Sequence, residues 1–243
     1  IIGLLDQTNI EVIDENSNKN AIIASTQRDL IAGEVSKDIA KRKMIPADLV
    51  EAHGSGAIHI HDLGYFIQPI FNCCLVNMKD MLDNGTVVNG KMIETPKSFQ
   101  VACNVMTQII AQIASNQYGG QSIDISCLGK YLRRSYEKNL NLCVEMIGDV
   151  ETAQKMADAM TKKDLQSGIQ TIQYQINTLM TSNGQAPFVT LFMHVKDEDP
   201  YVDEVAQIIE EILVQRIQGI KNTAGVYVTP AFPKPVSYTH LRA

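Results

Sequence analysis

The feature that most limits the fold is the succession of patterns across residues 187–232. PFVTLFM, residues 187–193, is largely apolar on both faces, as a strand of a covered parallel sheet should be. Residues 202–218 then read as a helix, with Val205, Ile208, Ile212 and Gln215 along one side and Gly219 beyond its end. Ala224 to Phe232 reads as another strand. Strand, helix, strand is a parallel crossover unit, because parallel neighbours need a long connection to return the chain. An α/β fold with heavy helical content follows.

Helical periods fill much of the rest. From Ser25, Ile31, Val35 and Ile39 recur every fourth residue among charged neighbours. Pro46 is placed to open a short helix running to about His53, closed by Gly54. A strong helix is predicted over 96–117, with Thr95 as cap, Pro96 in its first turn, and Ala102, Val105, Ile109 and Ile113 as a buried stripe. Residues 129–147 and 150–181 also read as helices, the second broken near 162–164 and stopped by Asn183-Gly184. Residues 1–24 read as irregular, and Asp83-Asn84-Gly85 as a turn. No repeat or low-complexity linker intervenes, which predicts one domain.

Composition excludes several functions. The formal charge is -6 and Lys and Arg are scattered, so no basic footprint for nucleic acid exists. No apolar run approaches the ~20 residues of a membrane span, and no signal-peptide pattern opens the chain, which leaves the cytoplasm as the default location. The five cysteines form no CxxC pair, and their odd number argues for reduced thiols.

Three groups of residues suggest chemistry. Ala57 to Asp62 alternates strictly, the two-residue period of a strand, which would set Ile58 and Ile60 on one face and His59 and His61 on the other. Tyr65, Asn72, Cys73 and Cys74 follow closely. The plainer reading is an exposed or core-satisfied histidine, although two on one face beside Asp62 weaken it. In a strand Cys73 and Cys74 point to opposite faces, which predicts one functional thiol and one packing residue. The amides of Gln117, Gln121 and Asn177, and those of 183–188, can orient a ligand, yet they more often serve helix ends and loops. As a metal signal HxHD is incomplete, since catalytic zinc wants three ligands and an open position.

Taken in order, GAIHIHDLGYF…FNCCLVNMKDMLDNGT, IETPKS, ASNQYGGQS, YQINTLMTSNGQAPFVTLF and GVYVTPAFPK resemble the large subunit of the anaerobic (class III, glycyl-radical) ribonucleotide reductases, from about Asn18 to Lys234. The resemblance implies a partial ten-stranded α/β barrel of the glycyl-radical type, helix-rich. It implies reduction of ribonucleoside triphosphates to 2′-deoxyribonucleotides by a thiyl radical fed from a stored glycyl radical, with formate as reductant. Cys73 would be the second active-site thiol, giving hydrogen toward C2′. Asn72, His59 and His61 would line the ribose pocket and help the leaving hydroxyl take a proton. Glu94 and Lys97, with Gln108 and Lys138, would form the specificity-effector site for deoxynucleotides. Ser182, Asn183, Gly184 and Gln185 would touch substrate. A homodimer, ATP and dNTP effectors and a radical-SAM activating enzyme are implied partners.

By the same resemblance, residues 1–234 are expected to be the first part of the catalytic domain and inactive alone. The thiyl cysteine, the glycyl-radical loop and a four-cysteine zinc site would lie downstream, so no metal is expected in this part. PVSYTHLRA, residues 235–243, is polar and patternless and is expected to be a non-native tail, which sets His240 and Arg242 aside. Two rivals remain. A metal-dependent hydrolase would need ligands beyond His59 and His61, and only His194 follows outside the tail. A non-catalytic helical interaction module would expose the apolar stripe of the 97–117 helix.

Overall fold

Four parallel strands form the main sheet of the computed structural model, which describes residues 24–69, 72–117, 119–179 and 187–237. The chain divides into two units, one of residues 1–72, 115–118 and 180–186, the other of 73–114, 119–179 and 187–243.

In the first unit, α1 (Ala24–Ile39) runs through a π-helical turn (Ala40–Met44) toward α2 (Ala47–Gly54), and a 3-10 turn follows at Leu63–Tyr65. The expected stripe of α1 is not what it buries: Val35 and Ile39 are exposed, while Thr26, Ser36 and Ala40 are buried. The reason is its partner. A Cβ on Gly64 would stand 3.5 Å from the Gly33 Cα, so backbone meets backbone and only small residues fit between. Ser36 Oγ donates to the Leu63 carbonyl at 3.4 Å and accepts from the Ile67 amide at 3.4 Å.

Helix α2 does not stop through Gly54. Gly56 takes the left-handed conformation (φ 78°), its amide bonds the His53 carbonyl at 3.2 Å, and the Ala57 amide bonds the Ala52 carbonyl at 2.9 Å. This pairing is a Schellman motif, which satisfies the last carbonyls of the helix.

The second unit holds β1 (Cys74–Val76), α3 (Met78–Asn84), the hairpin β2 (Thr86–Val88) and β3 (Lys91–Ile93), α4 (Phe99–Ala114), β4 (Gly120–Asp124), α5 (Gly129–Ile147), α6 (Val150–Thr178), β5 (Phe188–Met193), α7 (Val202–Gln218), the hairpin β6 (Ile220–Lys221) and β7 (Tyr227–Val228), and β8 (Lys234–Ser237). The sheet runs β1-β4-β5-β8, all parallel, so spatial order follows chain order. Crossovers of one hand in that order put their helices on one side of the sheet. Burial agrees: Val76, Ile123, Val189 and Leu191 join Phe99, Met106, Ile110, Leu132, Ile169 and Ile208 in one core. The other face carries the register row Leu75, Ser122, Thr190, Lys234. Leu75 there is 83% exposed.

Several sequence expectations change here. Helix α4 begins at Phe99, not Pro96, because Thr95 Oγ1 donates to the Asp83 carbonyl (2.8 Å) and Ser98 Oγ takes the Val101 amide instead. Helix α6 is unbroken through 162–164, where Asn139 Nδ2 donates to Thr161 Oγ1 and Asp164 Oδ2 at 3.1 and 3.2 Å and ties that polar stretch to α5. Strand β4 follows the end of α4, where the sequence predicts no strand. The run 224–232 is not one strand: Asn222 Oδ1 accepts from the Ala224 and Val226 amides at 3.0 Å each and curls the chain into the β6–β7 hairpin. The parallel partner of β5 is β8, from Thr190↔Lys234 to Met193↔Ser237. Pro235 to Ser237, expected to stand outside the fold, are therefore part of the sheet, and 238–243 lie outside the described residues.

Candidate active site and effector cleft

The HIHD segment is not a strand. Residues 57–62 form turns and bends without a ladder partner, Ile58 is exposed, and Asp62 sits in the left-handed region at φ 53°. The backbone explains this: the Ala57 and Ile58 amides both bond the Ala52 carbonyl, at 2.9 and 3.2 Å, and so belong to the end of α2. His59 and His61 still come together, by local turning rather than alternation. Their ring centroids are 5.8 Å apart, and His53 adds a third ring 5.7 Å from His59. His61 Nε2 lies 3.4 Å from Asp62 Oδ2, an attraction that is ionic only when the imidazole is protonated. His59 and His61 are exposed, and Leu63 beyond them is buried.

The cysteine pair resolves as one packing and one presented thiol. Cys74 opens β1, pairs in register with Gln121 and packs against the core; burial, with Cys73 alongside, pushes its thiol pKa up. Cys73 stands one residue ahead of the strand and is exposed, as is Asn72. Its place immediately precedes the Cys74↔Gln121 pair, where the ladder begins. Asn72 and the histidines belong to the first unit and Cys73 to the second.

The other amides behave as helix and loop partners. Gln121 is buried and its Nε2 donates to the Ile110 carbonyl at 2.8 Å, closing the end of α4. Asn177 Nδ2 donates to the carbonyls of Gln173 (2.7 Å) and Phe232 (2.8 Å). Gln117 is buried, and Ser182, Asn183, Gly184 and Gln185 lie outside the described residues.

Two of the four expected effector residues share a cleft. Lys97 and Lys138 line a groove of about 560 Å³ together with Arg134, Glu137, Asn141, Leu142 and Glu145. Glu94 and Gln108 are exposed and do not line it. Arg134, not among the four, lines the groove because it precedes Lys138 by four residues on α5, one turn along the same face. A second cavity of about 700 Å³ opens between α5, α6 and α7, edged by Arg133 and Glu204, which pair with one another. Sequence patterns held no sign of it, because its walls come from three separate helices.

Below the hairpin, Asp83 gathers three donors. Tyr131 Oη donates to Oδ1 at 3.0 Å, Lys79 Nζ to Oδ2 at 2.7 Å, and Lys130 pairs with Oδ1. Burial pushes the Asp83 carboxyl up, but the bonds from Lys130, Lys79 and Tyr131 outweigh it and hold the pKa below the ordinary value. Burial likewise drives the Cys103 thiol well up, and burial with the carboxylates of Asp124 and Asp83 raises Cys127 to about 12.

Neither rival gains from the geometry. Among the described residues no three His, Cys, Asp or Glu side chains group to hold a metal ion, which leaves the hydrolase reading without its ligand set. The stripe an interaction module would expose is spent in the core: Ala102, Val105 and Ile109 are buried. No helix among the described residues is long and apolar enough to cross a membrane.

Comparison with known proteins supplies the rest. The family model described as anaerobic ribonucleoside-triphosphate reductase matches residues 15–241. The protein of that name from Enterobacteria phage T4 is 41% identical over 242 residues, covering 98% of this chain and 38% of the phage protein. That from Haemophilus influenzae is 42% identical over 239 residues, covering 97% of this chain and 32% of its own length. The crystal structure of the anaerobic ribonucleotide reductase from Thermotoga maritima in complex with dATP and CTP shares the fold, with a TM-score of 0.52 at 13% identity over 87% of this chain and 34% of that one. The chain thus spans about a third of the length of the relatives it matches.

Proposed function

Since this chain belongs to the anaerobic ribonucleoside-triphosphate reductase family, we propose that it supplies one wall of a nucleotide-reducing pocket and most of an effector cleft, within a protein of its relatives' length. The observation that carries this reading is the split at Cys73-Cys74: one thiol packed on the core, its neighbour presented ahead of a strand whose outward residue, Leu75, is exposed. A neutral sulfhydryl there suits delivery of a hydrogen atom toward C2′ of a ribose. Asn72, His59 and His61 would hold the sugar and protonate its departing 2′-hydroxyl. Residues 1–234 are read as the first part of the catalytic barrel, a reading supported by strands in chain order with helices on one side.

Lys97, Lys138 and Arg134 suit the triphosphate of a deoxynucleotide effector, and Glu94 and Gln108 are proposed for its nucleoside end. Ser182 to Gln185 are proposed substrate contacts. The glycyl radical and a zinc site would come from segments other than this one, formate would be the reductant, and the chain alone would turn nothing over. A cytoplasmic homodimer served by a radical-SAM activating enzyme completes the proposal; exposed Leu142, Met146 and Val150 near the α5–α6 turn offer apolar surface to a second copy.

The test is substitution in the activated full-length reductase carrying this chain. Cys73→Ser should abolish deoxynucleotide formation with nucleotide binding retained, and Cys74→Ser should keep most of it. The reverse pattern would remove the proposal.

A further inference from the structure

The HIHD segment has no ladder to hold it, yet two imidazoles on it must keep fixed directions if they act on one sugar. Four amides of residues 56–60 turn back onto the end of α2. Three of them, from Gly56, Ala57 and Ile58, bond backbone carbonyls of His53 and Ala52, and would do so whatever the side chains. The fourth differs. The Ile60 amide donates to Nδ1 of His53 at 3.3 Å, so it depends on one side chain.

Ile60 lies between His59 and His61, and its peptide planes are those from which both imidazoles depart. Holding that amide restrains the 59–60 peptide plane directly and the backbone of His61 one residue further on. The His53 ring also stands 5.7 Å from the ring of His59, tilted by 55°, and His59 repeats the same tilt to His61 at 5.8 Å. Both separations fall within the range of ring–ring contact. An accepting Nδ1 leaves the proton of the neutral ring on Nε2. His53 is half-buried, and a partly desolvated bond of this kind outlasts one in open water.

We infer that His53 is a positioning residue: its Nδ1, through the Ile60 amide, orients His59 and His61 toward the substrate. The inference rests on the proposed roles of those two histidines. His53 itself touches no substrate in this arrangement.

Three variants of the activated full-length reductase separate acceptor from ring. His53→Asn retains an acceptor oxygen near the Nδ1 position, His53→Phe retains a ring without an acceptor, and His53→Ala has neither. Phe and Ala should lose at least about 10-fold in kcat with KM for the nucleotide changed less than about twofold, since misaimed groups cost the reacting geometry rather than ground-state binding. Asn should recover most of that loss, and exchange of the Ile60 amide should be fast in Phe and Ala but slow in Asn. Asn no better than Phe, or kcat and KM lost together with the helical signal, overturns the inference. His59→Ala is the control. If it abolishes turnover while Phe and Ala at position 53 are silent, only the positioning role falls; if it is itself silent, the pocket reading falls and takes this inference with it.

Discussion

Gly168 on α6 presents bare backbone to the ring of Phe99 on α4: a Cβ there would stand 2.6 Å from Phe99 Cε1 and 2.9 Å from Cys103 Sγ. Both neighbours are fully buried and cannot swing aside. Gly168→Ala should therefore destabilise the second unit, overpacking of about 3 kcal/mol outweighing about 1 kcal/mol of helix propensity. Thermal unfolding should show a fall of about 4–8 °C. An unchanged or raised midpoint would mean that α4 and α6 do not meet here.

Asp83 makes stability depend on pH. Its pKa is lowered in the fold, so its contribution is full above the unfolded value near 3.9 and is lost as pH falls through the lower folded value. Asp83→Asn should cost about 1–3 kcal/mol at neutral pH, the range for bonds to a charged group. Urea titrations from pH 7 to pH 2 should show that gap constant down to about pH 5 and closing in more acid solution. A gap that widens as the solution is acidified contradicts this sign.

Thiol accessibility checks the division of the cysteines. Against an ordinary thiol at 9.0, Cys127 at about 12 holds ~1000-fold less thiolate near neutrality. Higher intrinsic nucleophilicity returns part of that, leaving it roughly 30-fold slower before access is counted. A disulfide reagent added to the native protein should find one fast equivalent, and Cys73→Ser should remove it. Fast labelling of Cys103 or Cys127 would contradict the packing.

Effector binding should divide by function. Lys97→Ala and Lys138→Ala each remove one exposed cation from the cleft, worth about 1 kcal/mol, and should weaken every deoxynucleotide about fivefold. Glu94→Ala and Gln108→Ala should instead change the ranking among bases. Calorimetric titration with the four dNTPs reads both. Uniform weakening by all four variants would mean that Glu94 and Gln108 do not read the base.

Much was legible in local pattern. Strand β5 and helix α7 fall where apolar runs and helical spacing predict them, because each buries a continuous face and so writes its period into the chain. The α/β class followed from that succession, and the motif order from HIHD to AFPK carried the family. The alternation of Cys73-Cys74 also predicts that one of the two packs inward, as Cys74 does.

What the chain's pattern could not decide were the destinations of backbone hydrogen bonds. Ala57–Asp62 alternates like a strand, yet its amides return to α2, since a Schellman end left the Ala52 and His53 carbonyls waiting for them. Gly120–Asp124 carries no strand signal of its own, yet it is a central strand because Cys74–Val76 and Phe188–Met193 flank it with open ladders. Which cysteine faces outward, which lysines share a cleft, and that His53 meets Ile60 depend on residues brought together across turns. Periodicity records the face an element buries; only the folded chain determines what that face, and each unpaired amide, will meet.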